Sequence, residues 1–348
     1  MTKQNVRTHI RRILLIFFTT LLLLVIAVVG TVFVILRGPS RDAQELLTRS
    51  LKETSAIGFI PNLFLPDERI DEIMRVDEAP TEASGATDAS LVTISATRRT
   101  GAESAQTGGE AAPAEPGRML SEGIYLVDIT GPNYRGVLMI VEDPTRVFVG
   151  TPEHLGESGS TLEEMVEYYD AIAGINAGGF YDPGGTGNGG IPDGIVISDG
   201  ALVWGNPGTV SNVIGFDGTG VLHVGVMSAQ QALDRDIRWA CTFTPALIVN
   251  GEPEHSWQVT DGSVNPRTAI GQRADGAVLL LVIDGRHISS IGATYEDLIR
   301  ILLDYGAVNA SNLDGGSSSK MIYEGEALNE NASVIGSRGL PTSFLVRR

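Results

Sequence analysis

The sequence predicts an α+β fold, a mostly antiparallel or mixed sheet with a few packed helices, preceded by a single transmembrane helix and a disordered linker. Three observations point there. Beyond Arg118, short apolar runs such as GIYLVDIT, TRVFVG, GIVISDG and VLHVGV alternate with glycine turns, the signature of strands and hairpins. Two amphipathic helices stand out among these runs, and they do not alternate with the strands as a doubly wound sheet requires. Near the N-terminus, ILLIFFTTLLLLVIAVVGTVFVIL runs from Ile13 to Leu36 without a charge.

As a helix that apolar run is roughly 36 Å long, enough to cross a bilayer core of about 30 Å. Lys3, Arg7, Arg11 and Arg12 precede it with no acidic residue, so residues 1–12 read as a cytoplasmic tail. The run exceeds the usual signal-peptide core of about 7–15 residues and no small-residue cleavage site follows it. The expectation is an uncleaved anchor over 13–36 with the C-terminal bulk extracytoplasmic. In the juxtamembrane segment, 37–75, SRDAQELLTRSLKETSA reads as a helix capped by Asp42, with Leu46, Leu47 and Leu51 on one face. Residues 76–117 collapse to Ala, Glu, Thr, Ser, Gly and Pro and read as a flexible linker.

The region 118–348 is large enough for one substantial core. Its first helix, in STLEEMVEYYDA, opens with a capping box from Ser160 to Glu163. The second, in ATYEDLIRILLDYG, is capped by Thr294 and stopped by Gly306.

Charge and cysteine narrow the function classes. The first 37 residues hold five of the 25 Lys and Arg and none of the 42 Asp and Glu, which leaves a net charge of −22 on the rest. Such a surface repels nucleic acid and anionic surfaces. The single cysteine, Cys241, permits no intrachain disulfide, so the domain is held by its core, which suits a bacterial envelope protein. Cys241 itself reads as a buried structural thiol.

Five segments set polar residues and glycines beside apolar strands. INAGGFYDPGGTGNGGIPDG delivers Asn176 to a strand edge and opens a long loop, in which Asp182 and Asp193 read as loop formers. FTPALIVNGE is a strand and turn. In NPRTAIG, Arg267 stands at the mouth of a strand, where its fork of donors suits a phosphate or carboxylate. LLLVIDGR reads as a buried central strand with Asp284 at its end. SNLDGGSSSKM, from Ser311 to Met321, places Asp314 before two glycines and three serines, and Arg338 precedes the last strand.

Several chemistries fail on spacing. The five histidines are scattered without metal-ligand spacing. No G-x-S-x-G elbow surrounds Ser317, Ser318 or Ser319, and no phosphate-binding glycine motif follows a strand. No cofactor is required. A divalent cation such as calcium stays open, since Asp182, Asn188 and Asp193 offer oxygen ligands without EF-hand spacing.

INAGGFYD, NPRTAIG, VIDGR and NLDGGSSSKM, in this order, resemble the phosphodiester glycosidase family, over roughly Glu122 to the C-terminus. Ser317 stands where members often carry a third glycine. The resemblance implies hydrolysis at a sugar joined through its anomeric oxygen to a phosphodiester, in envelope or extracellular glycans. Asp314 and Asp284 would then be the catalytic carboxylates. Arg267, Gly315, Gly316, Ser317 and Ser318 would hold the phosphate, Asn176 and Asn312 the sugar hydroxyls, and Arg338 would join them in binding substrate. A noncatalytic glycan- or phosphoglycan-binding envelope module is the alternative. A serine hydrolase acting through Ser318 ranks below both, because no histidine lies in a partner motif.

Overall fold

The computed structural model describes residues 3–52, 57–74, 87–94, 117–182, 187–255, 259, 262–330, 332 and 336–348. The chain divides into two units, 1–75 and 76–348.

In the first unit, α1 (Lys3–Arg37) contains an apolar stretch, Arg11–Arg37, long enough to cross a membrane. Three short helices follow: α2 (Arg41–Lys52), α3 (Ile60–Phe64) and α4 (Asp67–Met74). Leu36, Leu65, Ile70 and Ile73 form a small core, with Val32, Leu47 and Phe64 packed against it. The Ala43 amide donates to Ser40 Oγ at 3.3 Å, so Ser40 caps α2, and position 42, where the cap was expected, lies within the helix.

The second unit is built from three sheets, and every pairing between its named strands is antiparallel. The largest sheet runs in the order β1 (Arg118–Ser121), β2 (Ile124–Thr130), β3 (Arg135–Val141), β14 (Val278–Ile283), β13 (Arg267–Arg273), β15 (Ala307–Leu313), β11 (Ala246–Val249), β12 (Glu252–Pro253). The second contains β7 (Ala201–Trp204), β6 (Val196–Ser198), β10 (Ile237–Thr242), β8 (Val210–Asp217) and β9 (Leu222–Ser228). The third contains β17 (Glu326–Ala327), β16 (Met321–Tyr323), β5 (Ala171–Asn176), β18 (Ser343–Arg347) and β4 (Val147–Gly150).

One face of each sheet contributes to a shared core, where Leu280 and Val282 meet Ile175 and Phe344 of the third sheet and Ile214 and Phe216 of the second. Each sheet's other face is covered by one helix. α7 (Tyr295–Asp304) lies over the largest sheet, α5 (Leu162–Tyr168) over the third and α6 (Ala229–Asp234) over the second. This explains the unbroken apolar run of β14: Val278, Leu280 and Val282 fill the shared core, while Leu279, Leu281 and Ile283 pack under α7.

The α7 cap is the expected one. Thr294 Oγ1 accepts from the Asp297 amide at 3.1 Å, Asp297 Oδ2 accepts from the Thr294 amide, and Gly306 ends the helix at φ +81°. On α5 the capping box lies one residue later than expected, between Thr161 and Glu164. Ser160 is held outside the helix by exchanging backbone hydrogen bonds with Leu340. Cys241 is fully buried, as its apolar context implies.

Within the stretch read as a linker, residues 87–94 dock on the domain. Thr87 Oγ1 donates to the Val224 carbonyl at 3.1 Å and accepts from the Val224 amide at 2.9 Å, closing part of an open strand edge. The Thr93 amide donates to the Ala274 carbonyl at 2.8 Å, and Val92 is buried. The remainder of 76–116 lies outside the described residues.

These contacts assign residues 87–94 to the folded domain. A chain starting at Arg118 should lose roughly 2 kcal/mol relative to one starting at Val76, from one buried side chain and several hydrogen bonds. Thermal unfolding of the two fragments should differ by roughly 4–8 °C. Equal midpoints would contradict the assignment.

Candidate functional site

The polar residues singled out in the sequence gather at one end of the largest sheet, where β13 begins and β14 and β15 end, beside the end of β5 and the start of β18. Asp314 is the first residue after β15, and its amide donates to the Ala177 carbonyl at 2.8 Å. The turn then doubles back tightly. The Gly316 amide donates to the Pro266 carbonyl at 2.9 Å, and a Cβ on Gly315 would stand 2.8 Å from that same oxygen. Glycine at 315 is therefore required by close backbone approach. Because the Gly316 amide is already spent on Pro266, the two glycines shape the turn and that amide does not cradle a phosphate.

Asn176 is completely buried and holds this turn in place. Its Nδ2 donates to the Asp314 carbonyl at 2.5 Å, while its Oδ1 accepts from Thr268 Oγ1 at 2.9 Å and from the Lys320 amide at 3.1 Å. It has no exposed atom to offer a sugar hydroxyl; it is a positioning residue.

Arg267 is likewise turned inward. Alternation along β13 puts it on the α7 face with Ala269, and it is 4% exposed. Its guanidinium lies 3.9 Å from the Tyr295 ring centroid and donates to the Ser263 carbonyl, Ser263 Oγ and the Ala293 carbonyl. That explains its burial and removes it as a phosphate clamp. Asn312, also buried, donates from Nδ2 to the Thr244 carbonyl at 2.9 Å and holds that loop, while its Oδ1 has no hydrogen-bond partner among the described residues.

The two carboxylates expected to act together stand apart. Asp284 Oδ1 accepts from Asn329 Nδ2 and from the Glu330 amide, each at 3.0 Å. It lines a polar cavity of about 290 Å³ with Arg135, Ser289, Ser290, Asn329 and Glu330. Burial raises its pKa, against those two hydrogen bonds. A cavity of about 320 Å³ beside α7, lined by Val259, Ile299 and Leu303 among others, touches none of these site residues.

Asp314 belongs to a different group of charges. Its Oδ2 is shut off from solvent and has no hydrogen-bond partner among the described residues. Burial pushes its pKa up to about 6, opposed by a hydrogen bond from Ser318 and by the charge of Arg338, and reinforced by Asp182 and Asp193. Arg338 donates to Asp182 Oδ2 at 2.6 Å and reaches Ser317 Oγ at 3.4 Å, with its guanidinium 5.0 Å from the Phe180 ring centroid. The loop carrying Arg338 is pinned by Ser337 and Lys320, both bonded to Glu163 of α5. Asp314, Ser317, Ser318 and Arg338 thus lie together, and Asp182 and Asp193, read in the sequence as loop formers or cation ligands, join them. Among the described residues no group of three His, Cys, Asp or Glu side chains is placed to hold a metal ion.

Chemically, the cluster combines a carboxyl that keeps its proton up to about pH 6, an arginine for an anion and two serine hydroxyls. Fold and site together define an antiparallel α+β domain with an acid site at converging strand ends. The chain belongs to the phosphodiester glycosidase family, whose sequence model matches residues 169–347. Over 191 residues it is 30% identical to the SPbeta prophage-derived uncharacterized protein YomE of Bacillus subtilis (strain 168), covering 54% of this chain and 29% of that protein. The chain thus spans less than a third of the length of this curated relative. Its fold is similar to the catalytic domain of the zebrafish N-acetylglucosamine-1-phosphodiester alpha-N-acetylglucosaminidase, solved auto-inhibited by its pro-peptide. There the TM-score is 0.54 at 22% identity, over 65% of this chain and 82% of that one.

Asp314 binds its proton more tightly in the fold than in the unfolded chain, so its ionisation costs stability as pH rises from about 4 through about 6. Asp314→Asn removes that cost. The variant should be more stable than the parent at pH 7, by up to about 3 kcal/mol, and indistinguishable from it at pH 4. Thermal melts at the two pH values check this; a variant less stable at pH 7 contradicts the assigned protonation.

Proposed function

We propose that this protein hydrolyses the bond between a sugar's anomeric carbon and a phosphodiester, in envelope or extracellular glycans. The observation that carries the reading is Asp314, whose Oδ2 is shut off from solvent and whose pKa is raised to about 6, beside Arg338, in the segment matched by the family model. Arg338 supplies the cation for the phosphodiester, and Ser317 and Ser318 supply hydroxyls at the same turn. Asp314 acts as an acid towards the departing phosphate. Phosphate leaves readily from an anomeric carbon, so one modest acid suffices and no strong acid pair is required.

The N-terminal helix supports a membrane tether. Large side chains from Ile13 to Val34 are exposed along α1, the pattern a bilayer accommodates and water does not. With Lys3, Arg7, Arg11 and Arg12 before the span, the positive-inside rule leaves the catalytic unit extracytoplasmic. An acidic unit there encounters glycans and sugar phosphates and not nucleic acid.

N-acetylglucosamine, the sugar in the zebrafish enzyme's name, is the first to test. The full chain in detergent should release free sugar from UDP-N-acetylglucosamine or from a methyl phosphodiester of N-acetylglucosamine 1-phosphate. The rate should fall about tenfold per pH unit above about 6, as Asp314 loses its proton. Asp314→Asn should lower kcat by about 10²–10⁴. Arg338→Ala should raise KM more than it lowers kcat. Binding of the phosphodiesters without turnover in the parent would instead favour the noncatalytic binding module.

A further inference from the structure

We propose that Asp193 is the second catalytic carboxyl of this site, the general base that takes the proton of the attacking water. The inference rests on the phosphodiester glycosidase reading and adds to it a residue on the glycine-rich loop.

That loop is a pinned hairpin. The Tyr181 amide donates to the Ile191 carbonyl at 2.9 Å, the Asp193 amide donates to the Gly179 carbonyl at 3.0 Å, and Phe180 bridges to Pro192. Asp182 and Asp193 are thereby fixed on opposite legs beside the turn that carries Asp314. Their situations differ. Asp182 is neutralised by Arg338 at 2.6 Å, whereas no hydrogen bond is made to the Asp193 carboxylate among the described residues. Among the described residues Asp193 thus has no partner for its carboxylate, Asp314 Oδ2 has none either, and the Asp193 charge raises the Asp314 pKa.

The wall behind Asp193 is shaped to receive it. A Cβ on Gly179 would lie 2.8 Å from Asp193 Oδ2 and 2.8 Å from the Phe243 ring, so carboxylate and ring together fill the space that a side chain at 179 would take. The glycine after the strand bearing Asn176 is thus explained by the carboxylate standing over it. Asp193 as a residue is exposed, yet its carboxyl is enclosed on this side, and burial raises its pKa. Asp314 Oδ2, buried and without a partner, supplies an independent mark of the same site. The accessible carboxyl meets water, and the enclosed one holds a proton.

The division of labour balances. The water oxygen bonds to the anomeric carbon as that carbon's bond to the phosphate oxygen breaks, and the bonding pair leaves with the phosphate. Asp193 takes a proton from the water, Asp314 gives its proton to the departing phosphate, and both carboxyls are restored by exchange with solvent. The products are the free sugar and a phosphomonoester. A single displacement of this kind inverts the anomeric configuration. Burial is what raises the Asp193 pKa, and the Asp193 charge in turn raises that of Asp314.

The test uses the full chain and the methyl phosphodiester of α-N-acetylglucosamine 1-phosphate. Asp193→Asn should keep the parent's melting temperature, lower kcat by at least about 10² and leave KM nearly unchanged. Added formate should restore part of the turnover of Asp193→Gly, as an external base in the space vacated. Proton NMR of the first product should show the β-anomer. A parent inactive on this probe overturns the functional reading and the inference with it. An active parent whose Asp193→Asn variant keeps kcat within about threefold, or whose product first appears as the α-anomer, overturns the inference alone.

Discussion

One buried side-chain amide ties the site together. Asn176 ends a strand of the third sheet, yet its three hydrogen bonds go to Thr268, to the Asp314 carbonyl and to the Lys320 amide. Two sheets and both sides of the Asp314 turn thus depend on a single amide that water does not reach. Leaving any of those buried groups unpaired costs about 1–3 kcal/mol, more than most single contacts contribute. The position of the Asp314 backbone follows from that constraint.

The same constraint explains why a carboxyl can be kept without a compensating partner. The turn is pressed against Pro266 on one side and held by Asn176 on the other, which fixes the Asp314 backbone where its Oδ2 is enclosed. Enclosure raises its pKa, and Arg338, committed to Asp182, offsets only part of that rise. Arg267 contributes nothing here because its charge is absorbed by Tyr295 and two carbonyls on the far face of the sheet. An arginine was expected here from NPRTAIG; the arginine beside Asp314 is Arg338 instead, brought in by the loop before the last strand.

Much of this was legible in the sequence where a local rule governs. The LLLVIDGR run announced a strand buried on both faces, Thr294 and Gly306 marked the ends of α7, and Asp314-Gly-Gly marked a tight turn. The motifs named the residues that gather at the strand ends but not where each side chain points. Period-two alternation along β13 groups Arg267 with Ala269, and that signal was available. Asp193 left no local sign, since Gly179, Phe243 and Asp314 meet it only in the fold. Residues 87–94 were hidden for another reason: LVTI is a four-residue apolar patch inside a long stretch of Ala, Glu, Thr, Ser, Gly and Pro.

In the proposed reaction water attacks the anomeric carbon and not phosphorus. Hydrolysis of a sugar 1-phosphodiester by the full chain in heavy-oxygen water, followed by mass spectrometry of both products, tests this directly. The label should appear in the hydroxyl of the released sugar and be absent from the phosphomonoester. Label in the phosphomonoester would mean attack at phosphorus, and would contradict the assignment of the Asp314 site to glycosidic chemistry.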